Sequence, residues 1–445
     1  MDDYEVERVG SDNPAQTIPA AQLVLPSRQR STGFIRPTIR QSEHGRKTES
    51  LGTKYDVGWR RIVRNFSPSW FSLTMGTGIV SLLLAAIPFK AAWLYWLAAI
   101  FLGLNAILFT CAFSISILRY TLYPEIWAVM IADSTNSLFL GTIPMGFATI
   151  ISAWCTLCIP YWGHWAVTFA WVCWIIDSIM AVTVTLSLTI LLISANNRQN
   201  LDRITAVQLL PIAASIVAAG TGARVAEHLQ EPGNALGTLI ASYVMWGLST
   251  PLAMTVLVMY YTRLALHKLP PREIAVSSFL PLGPLGMGGY TITHLGSVAR
   301  HVFLEAGFLS DIPVAGDVFF VVGIFIALIM WAFGLTWLCF ALASIYKSRP
   351  FPFNMGWWGF TFPLGVMALS TMEFGRIFPS LFFKVLGTIF AVAVIILWCV
   401  VAAGTARGAW TGRLFNAPCL KNLPKKEDEQ VQDVAHTETG DKVDG

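Results

Sequence analysis

Phe66-Ser-Pro-Ser-Trp-Phe-Ser-Leu-Thr-Met-Gly-Thr-Gly-Ile-Val-Ser81 opens the first long apolar segment of the chain with glycines and hydroxyls that a lipid-facing helix does not need. Further apolar segments follow, and the spans are expected near 69–87, 91–117, 131–155, 163–193, 207–224, 236–261, 277–300, 314–345, 355–377 and 381–406. Each meets or approaches the roughly 20 residues that a bilayer core demands of a helix. The odd-numbered spans share a breaker: Thr74-Met-Gly76, Pro144 with Gly146, Pro211, Pro281 and Pro284 with Gly286, and Pro363 with Gly365. Successive breakers are separated by about 67 to 79 residues, one helical hairpin per repeat, so the chain reads as five tandem hairpins in one orientation.

Proline inside a helix removes a backbone donor, and in lipid the freed carbonyl must find a partner. Kinks at Pro144, Pro211, Pro284 and Pro363 therefore belong where the helix faces protein or a water-filled cavity. The arrangement that satisfies all of them is an inner ring of five kinked odd helices around a central pore, with five longer even helices facing lipid. The expected fold is an all-α polytopic membrane protein of ten transmembrane helices.

Composition agrees. In 445 residues, 55% are hydrophobic and only 13% charged, with a mean hydropathy of +0.59, which excludes a soluble globular chain. Residues 1–58 are polar and lack apolar periodicity, so they read as a disordered tail; 59–407 form the membrane domain, and 408–445 a second polar tail. Basic residues crowd the loops on the side of the termini, among them Arg60, Arg61, Arg64, Arg198, Arg203, Lys268, Arg272 and Lys347. By the positive-inside rule both tails are cytosolic. The formal charge of +4 then reflects topology rather than a nucleic-acid partner.

The chain lacks a Walker-type phosphate loop, an H-E-x-x-H helix and a clustered acid, base or metal set, so neither an enzyme nor an ATP-driven pump is expected, and no cofactor or metal. Cys155-x-x-Cys158 has no second ligand pair to complete a metal site. Arg224, Arg300 and Arg376 end three odd spans and would ring the outer mouth of the path, favouring anions. The same positions also suit arginines that complement a helix dipole or snorkel to headgroups. The hydroxyls of Thr74, Thr77 and Thr142 are placed to hydrogen-bond a passing oxyanion, and Gly76 to let backbone approach the path or a neighbouring helix. Asp177 and His294 are ionisable at apparent membrane depth and are candidates for proton or anion coupling, with packing hydrogen bonds as the alternative for both.

The 66–81 stretch, together with Trp357-Trp358-Gly-Phe-Thr361-Phe362-Pro363 in the ninth span, resembles the fungal sulfite-efflux branch of the tellurite-resistance and C4-dicarboxylate transporter family, which also includes plant slow anion channels. The resemblance covers about residues 60 to 407. It implies a five-hairpin pore plugged midway by a phenylalanine, which falls on Phe362, and a homotrimer with one pore per protomer. The function it implies is plasma-membrane efflux of sulfite or bisulfite by facilitated anion passage. The alternative is a permease for malate or another C4-dicarboxylate, with proton coupling through Asp177 or His294. A dianion would call for paired cations inside the path, and no odd span carries Arg or Lys at its middle.

Overall fold

The computed structural model describes residues 58–133, 135–194, 201, 204–267, 271–417 and 419–420. The tail expected over 1–58, apart from Gly58, and the stretch from 421 onward lie outside them. Among the described residues ten helices of 16 residues or more follow one another: α1 Phe71–Ala86, α2 Ala92–Leu122, α3 Thr142–Leu157, α4 His164–Ser194, α5 Leu209–Ala226, α6 Pro232–His267, α7 Leu282–Glu305, α8 Ala315–Ser348, α9 Thr361–Ile377 and α10 Leu381–Trp410. No strand occurs among the described residues.

The even helices, 30 to 36 residues long, exceed what a bilayer core requires, while the odd ones hold 16 to 24. Burial divides them in the same way. Within the hydrophobic windows of α1, α3 and α5, 78%, 67% and 94% of residues are buried, against 11 to 39% in the even helices. The odd helices form a closed ring in which α1 packs on α3, α3 on α5, α5 on α7, α7 on α9, and α9 back on α1. Each even helix fills the seam between two ring neighbours and shows isoleucine, valine and phenylalanine to the outside. Eight of the ten are long and apolar enough to cross a membrane. The exceptions, α7 and α9, are almost wholly buried in the ring. Because they meet protein rather than lipid, they need no uniformly apolar surface.

Among the described residues, each outer helix sends at least one hydrogen-bond donor inward to the inner helix that follows it, and α4 adds a second, Thr185 to the Pro211 carbonyl (2.7 Å). Asn105 of α2 donates to Thr149 (3.1 Å), Trp174 of α4 to the Ala218 carbonyl (2.9 Å), and Trp246 of α6 to the Gly288 carbonyl (2.9 Å). Trp331 of α8 donates to Thr371 (2.9 Å), and Trp398 of α10 to Thr77 of α1 (3.1 Å), which closes the circle. An indole brings a large apolar body and a single N–H that must be paired when buried, so it stitches hairpin to hairpin at little polar cost.

The prolines do not kink these helices. Pro144, Pro211, Pro284 and Pro363 are each the third residue of α3, α5, α7 and α9, where the missing N–H has no intrahelical acceptor to lose. A 3₁₀ segment leads into every odd helix, at Pro68–Trp70, Ser137–Gly141, Ala206–Gln208, Arg272–Phe279 and Met355–Phe360. In α3, α5, α7 and α9 the repeated proline thus marks where a short segment of tighter winding gives way to an α-helix. The proline inside a described helix is instead Pro251 of α6, an outer helix.

Glycines set the ring's tightness. A Cβ at Gly286 of α7 would stand 2.7 Å from the backbone nitrogen of Met367 on α9, a clash that only backbone movement could relieve.

Residues 411–420, assigned above to a polar tail starting at 408, are not all free of the bundle. α10 continues to Trp410, Phe415 stacks on Trp70 with ring centroids 4.9 Å apart, and Cys419 is fully buried. Apolar side chains spaced along this short stretch find partners at the base of α1, which the polar composition of the whole tail concealed.

Candidate functional site

Two small cavities lie on the ring axis, one on each side of Phe362. The first is lined by the opening turns of the odd helices: Met75 of α1, Met145 of α3, Leu209 and Leu210 of α5, Gly283 of α7, and Phe362 and Pro363 of α9. The second is lined again by all five, through Ile79, Thr149, Val217, Met287 and Val366 among others, with Phe362 common to both. Each encloses about 10 Å³, roughly the space of one water-sized sphere. Phe362 is 3% exposed and is the side chain that separates them.

Each small cavity leads to a larger one. Met75, Leu210 and Leu280 connect the first to a vestibule of about 400 Å³ on the face from which α1 departs and to which α10 returns, the near face. Leu82, Arg224, Tyr290 and Leu369 connect the second to a vestibule of about 600 Å³ on the far face. The first turns of five helices surround the constriction on its near side. The opening N–H groups bond carbonyls of the preceding 3₁₀ segments, so it is the aligned helix dipoles that make that side favourable to negative charge.

The far vestibule is rich in ionisable groups. Lys90, Arg224, Arg376 and Lys384 face Glu227 and Glu373 across it, with His228 and His294 alongside, so four fixed cations oppose two carboxylates. The two arginines are held differently. Arg376 is locked to Glu373 on its own helix by Nε and Nη2. Arg224 donates to the Thr156 hydroxyl (2.9 Å) and lies 5.5 Å over the Tyr290 ring, and among the described residues no carboxylate comes within 4.0 Å of it. Its charge is therefore oriented without a direct ion pair, at the opening of the constriction, with the Glu227 carboxylate in the same vestibule.

His294 stacks on Tyr290 (5.7 Å between centroids), and its Nε2 is 3.4 Å from Glu227 Oε2. The imidazole beside Glu227, helped by the nearby His228 and Arg224, holds the Glu227 carboxyl down to about 2 despite partial burial. Glu227 accordingly keeps its negative charge at any physiological pH.

Other residues expected at the path lie elsewhere. Thr74 bonds the Phe71 carbonyl (2.8 Å), Thr142 that of Phe139 (2.7 Å), and Thr77 both donates to the Leu73 carbonyl and accepts from Trp398. All three hydroxyls are fully buried in helix seams and line neither axial cavity. A Cβ on Gly76 would meet Thr361 and Trp358, so this glycine serves the contact between α1 and α9. Arg300 is turned away from the far vestibule, pairs with Asp317 (2.8 Å) and lies over Phe320. Asp177 is fully buried on α4, and neither of its oxygens has a hydrogen-bond partner among the described residues. It lines none of the four cavities. Cys155 and Cys158 are both free thiols.

Sequence reasoning missed Thr149, Ser152 and Tyr290, which face the far-side axial cavity. A signal existed for Tyr290, which precedes His294 by four residues and so shares its helix face. Lys90 and Lys384 join the site from opposite ends of the chain, and no local pattern announces that.

The geometry is two small axial cavities that meet at Phe362, with helix N-termini on one side and an excess of cations on the other, an arrangement suited to a small anion. Comparison with known proteins points the same way. Residues 65–406 match the family model described as voltage-dependent anion channel. A sulfite efflux pump of Arthroderma benhamiae is 47% identical over 79% of this chain and 93% of its own length. One of Candida albicans is 30% identical, over 76% of this chain and 72% of its own. A malic acid transport protein of Schizosaccharomyces pombe is 24% identical, over 76% of each.

Proposed function

The chain belongs to the voltage-dependent anion channel family, and from that premise we propose that it exports sulfite or bisulfite through the axis of the odd-helix ring. The observation that carries the reading is Phe362 between two axial cavities, with Arg224, which makes no direct ion pair among the described residues, at the far opening. The likeness to the sulfite efflux pumps supports sulfite as the cargo.

In this reading the near face is cytosolic, the ten helices all cross the plasma membrane, both termini are inside, and protomers assemble as trimers with one path each. A cytosol-negative potential drives a monovalent anion outward by about 2.3 kcal/mol per 100 mV, so no ATP is needed. The anion enters the near vestibule, is drawn toward the helix N-termini, passes when the Phe362 ring swings aside, and meets Arg224 before release. Arg376 contributes less field because Glu373 offsets it. If transport is proton-coupled, His294 is the residue placed to take part, since Asp177 lines no part of the path.

The test is sulfite release and sulfite tolerance in fungal cells with and without the protein, alongside malate uptake in the same strains. Increased release with restored tolerance is the expected result. Malate uptake without sulfite release would replace this reading with the dicarboxylate permease.

A further inference from the structure

The near vestibule is hydroxyl- and amide-rich, with Ser67, Ser69, Ser72, Asn136 and Asn354 in its lining, and among the described residues a single charged side chain reaches it, Arg413. That arginine belongs to no ring helix. It is carried by the turn that follows α10, where Gly412 at φ 70° reverses the chain and its N–H bonds the Ala409 carbonyl (3.0 Å). A left-handed glycine just past a helix end is the usual way to turn the chain back along the helix it has left.

The strap that follows is fastened at the base of α1. Phe415 stacks on Trp70, interplanar angle 14°, and Trp70 stacks in turn on Phe66. The Ala417 N–H bonds Asn65 Oδ1 (3.3 Å), and the buried Cys419 sulfur lies 3.8 Å from Nη2 of Arg119, which is itself buried and donates to the Phe66 carbonyl. Ring stacking, a backbone hydrogen bond and a buried thiol contact thus hold Arg413 at the near mouth, whose lining also includes Ser67 and Ser69, their hydroxyls bonded to each other at 2.7 Å.

We propose that the near vestibule is the capture site for the outgoing oxyanion and that Arg413, delivered by this strap, sets its affinity. The inference rests on the anion-export reading and adds to it the residue responsible for capture at the entry side. One cation in a low-charge concavity raises the local concentration of a small monovalent anion, and multiple hydroxyl and amide donors can receive its oxygens. The far vestibule holds several cations of its own, so the contribution of Arg413 is specific to the near side.

The test uses the full chain in liposomes, with sulfite presented separately to each face, and compares wild type with Arg413→Gln, Arg413→Lys and Phe415→Ala. With sulfite on the near face, Arg413→Gln raises KM by about fivefold at unchanged maximal rate, and the rise of KM with ionic strength flattens, because the screened charge is gone. KM from the far face stays as it was. Arg413→Lys restores the near-face KM to within about twofold, since a point charge suffices here. Phe415→Ala, which frees the strap without touching the charge, raises the near-face KM in the same way, and combining it with Arg413→Gln adds nothing further. If wild type exports sulfite and Arg413→Gln leaves the near-face KM and its salt dependence unchanged, the inference is overturned and the export reading stands. If wild type moves no anion, both fall.

Discussion

Trp398 of α10 donates its indole hydrogen to Thr77 of α1, 3.1 Å away and 321 positions earlier in the chain. The bond joins the last hairpin to the first and repeats, at the ring's closing seam, what Asn105, Trp174, Trp246 and Trp331 do at the other four. Replacing Trp398 with Phe keeps much of the ring's apolar body and removes the donor. The expected cost is about 1–2 kcal/mol, read as a lower unfolding temperature of the purified protein with transport retained at permissive temperature.

Among the described residues, Phe362 is the only one that lines both axial cavities. Phe362→Ala joins them, so anion flux at fixed driving force rises and selectivity among small anions weakens. Patch-clamp or liposome flux across a panel of anions checks this; an unchanged conductance would remove the gate assignment.

Arg224 and Arg376 carry the same charge in different company. Arg224→Gln removes a cation that makes no direct ion pair among the described residues and lowers flux by about tenfold, which corresponds to about 1.4 kcal/mol. Arg376→Gln leaves Glu373, which is 8% exposed, without its partner. Its loss of flux is then largely repaired by adding Glu373→Gln, because removing both members of a pair strands no charge. Flux in the two single variants and the double variant provides the comparison.

Glu227 is held at about 2, below its ordinary value of 4.5, chiefly by His294. A lowered carboxyl pKa stabilises the folded state above the unfolded value and loses that effect as pH falls through the folded one. Wild type is therefore more stable than Glu227→Gln above about pH 4.5, and the difference vanishes toward pH 2. With half of the side chain exposed, screening limits the effect to about 1 kcal/mol. Unfolding temperatures of both proteins across this pH range test the sign.

Gly286 and Gly103 give opposite expectations for the same substitution. Gly286→Ala drives a methyl group into the backbone of α9 and lowers stability by about 1–3 kcal/mol. Around Gly103, on the outer face of α2, nothing lies within 4 Å, so Gly103→Ala is neutral or stabilising through helix propensity. Thermal unfolding of the two variants in matched detergent separates them.

Much of the fold is legible in the chain because hydropathy and repeat length are local properties. The five hairpins, the inner and outer rings and the all-helical class follow from apolar length and a recurring breaker. The meaning of the breaker was not legible. A proline reads the same at a kink as in the first turn of a helix, and only the preceding 3₁₀ segments show that Pro144, Pro211, Pro284 and Pro363 stand near helix starts. The indole stitches escaped notice for a related reason, since their acceptors lie on the following hairpin.

For the site, the sequence alone determined which residue types were available: Phe362 beside Pro363, arginines at the ends of odd spans, and a histidine on the seventh. Tertiary structure decided which of them meet. Helix rotation, set by packing around the whole ring, turned Thr74, Thr77 and Thr142 into the seams, sent Arg300 to Asp317, and kept Arg224, Arg376 and His294 together in one vestibule. Segment-level hydropathy cannot record that choice, because in a fully buried helix every face is apolar enough and the facing direction is fixed only by neighbours far away in the chain.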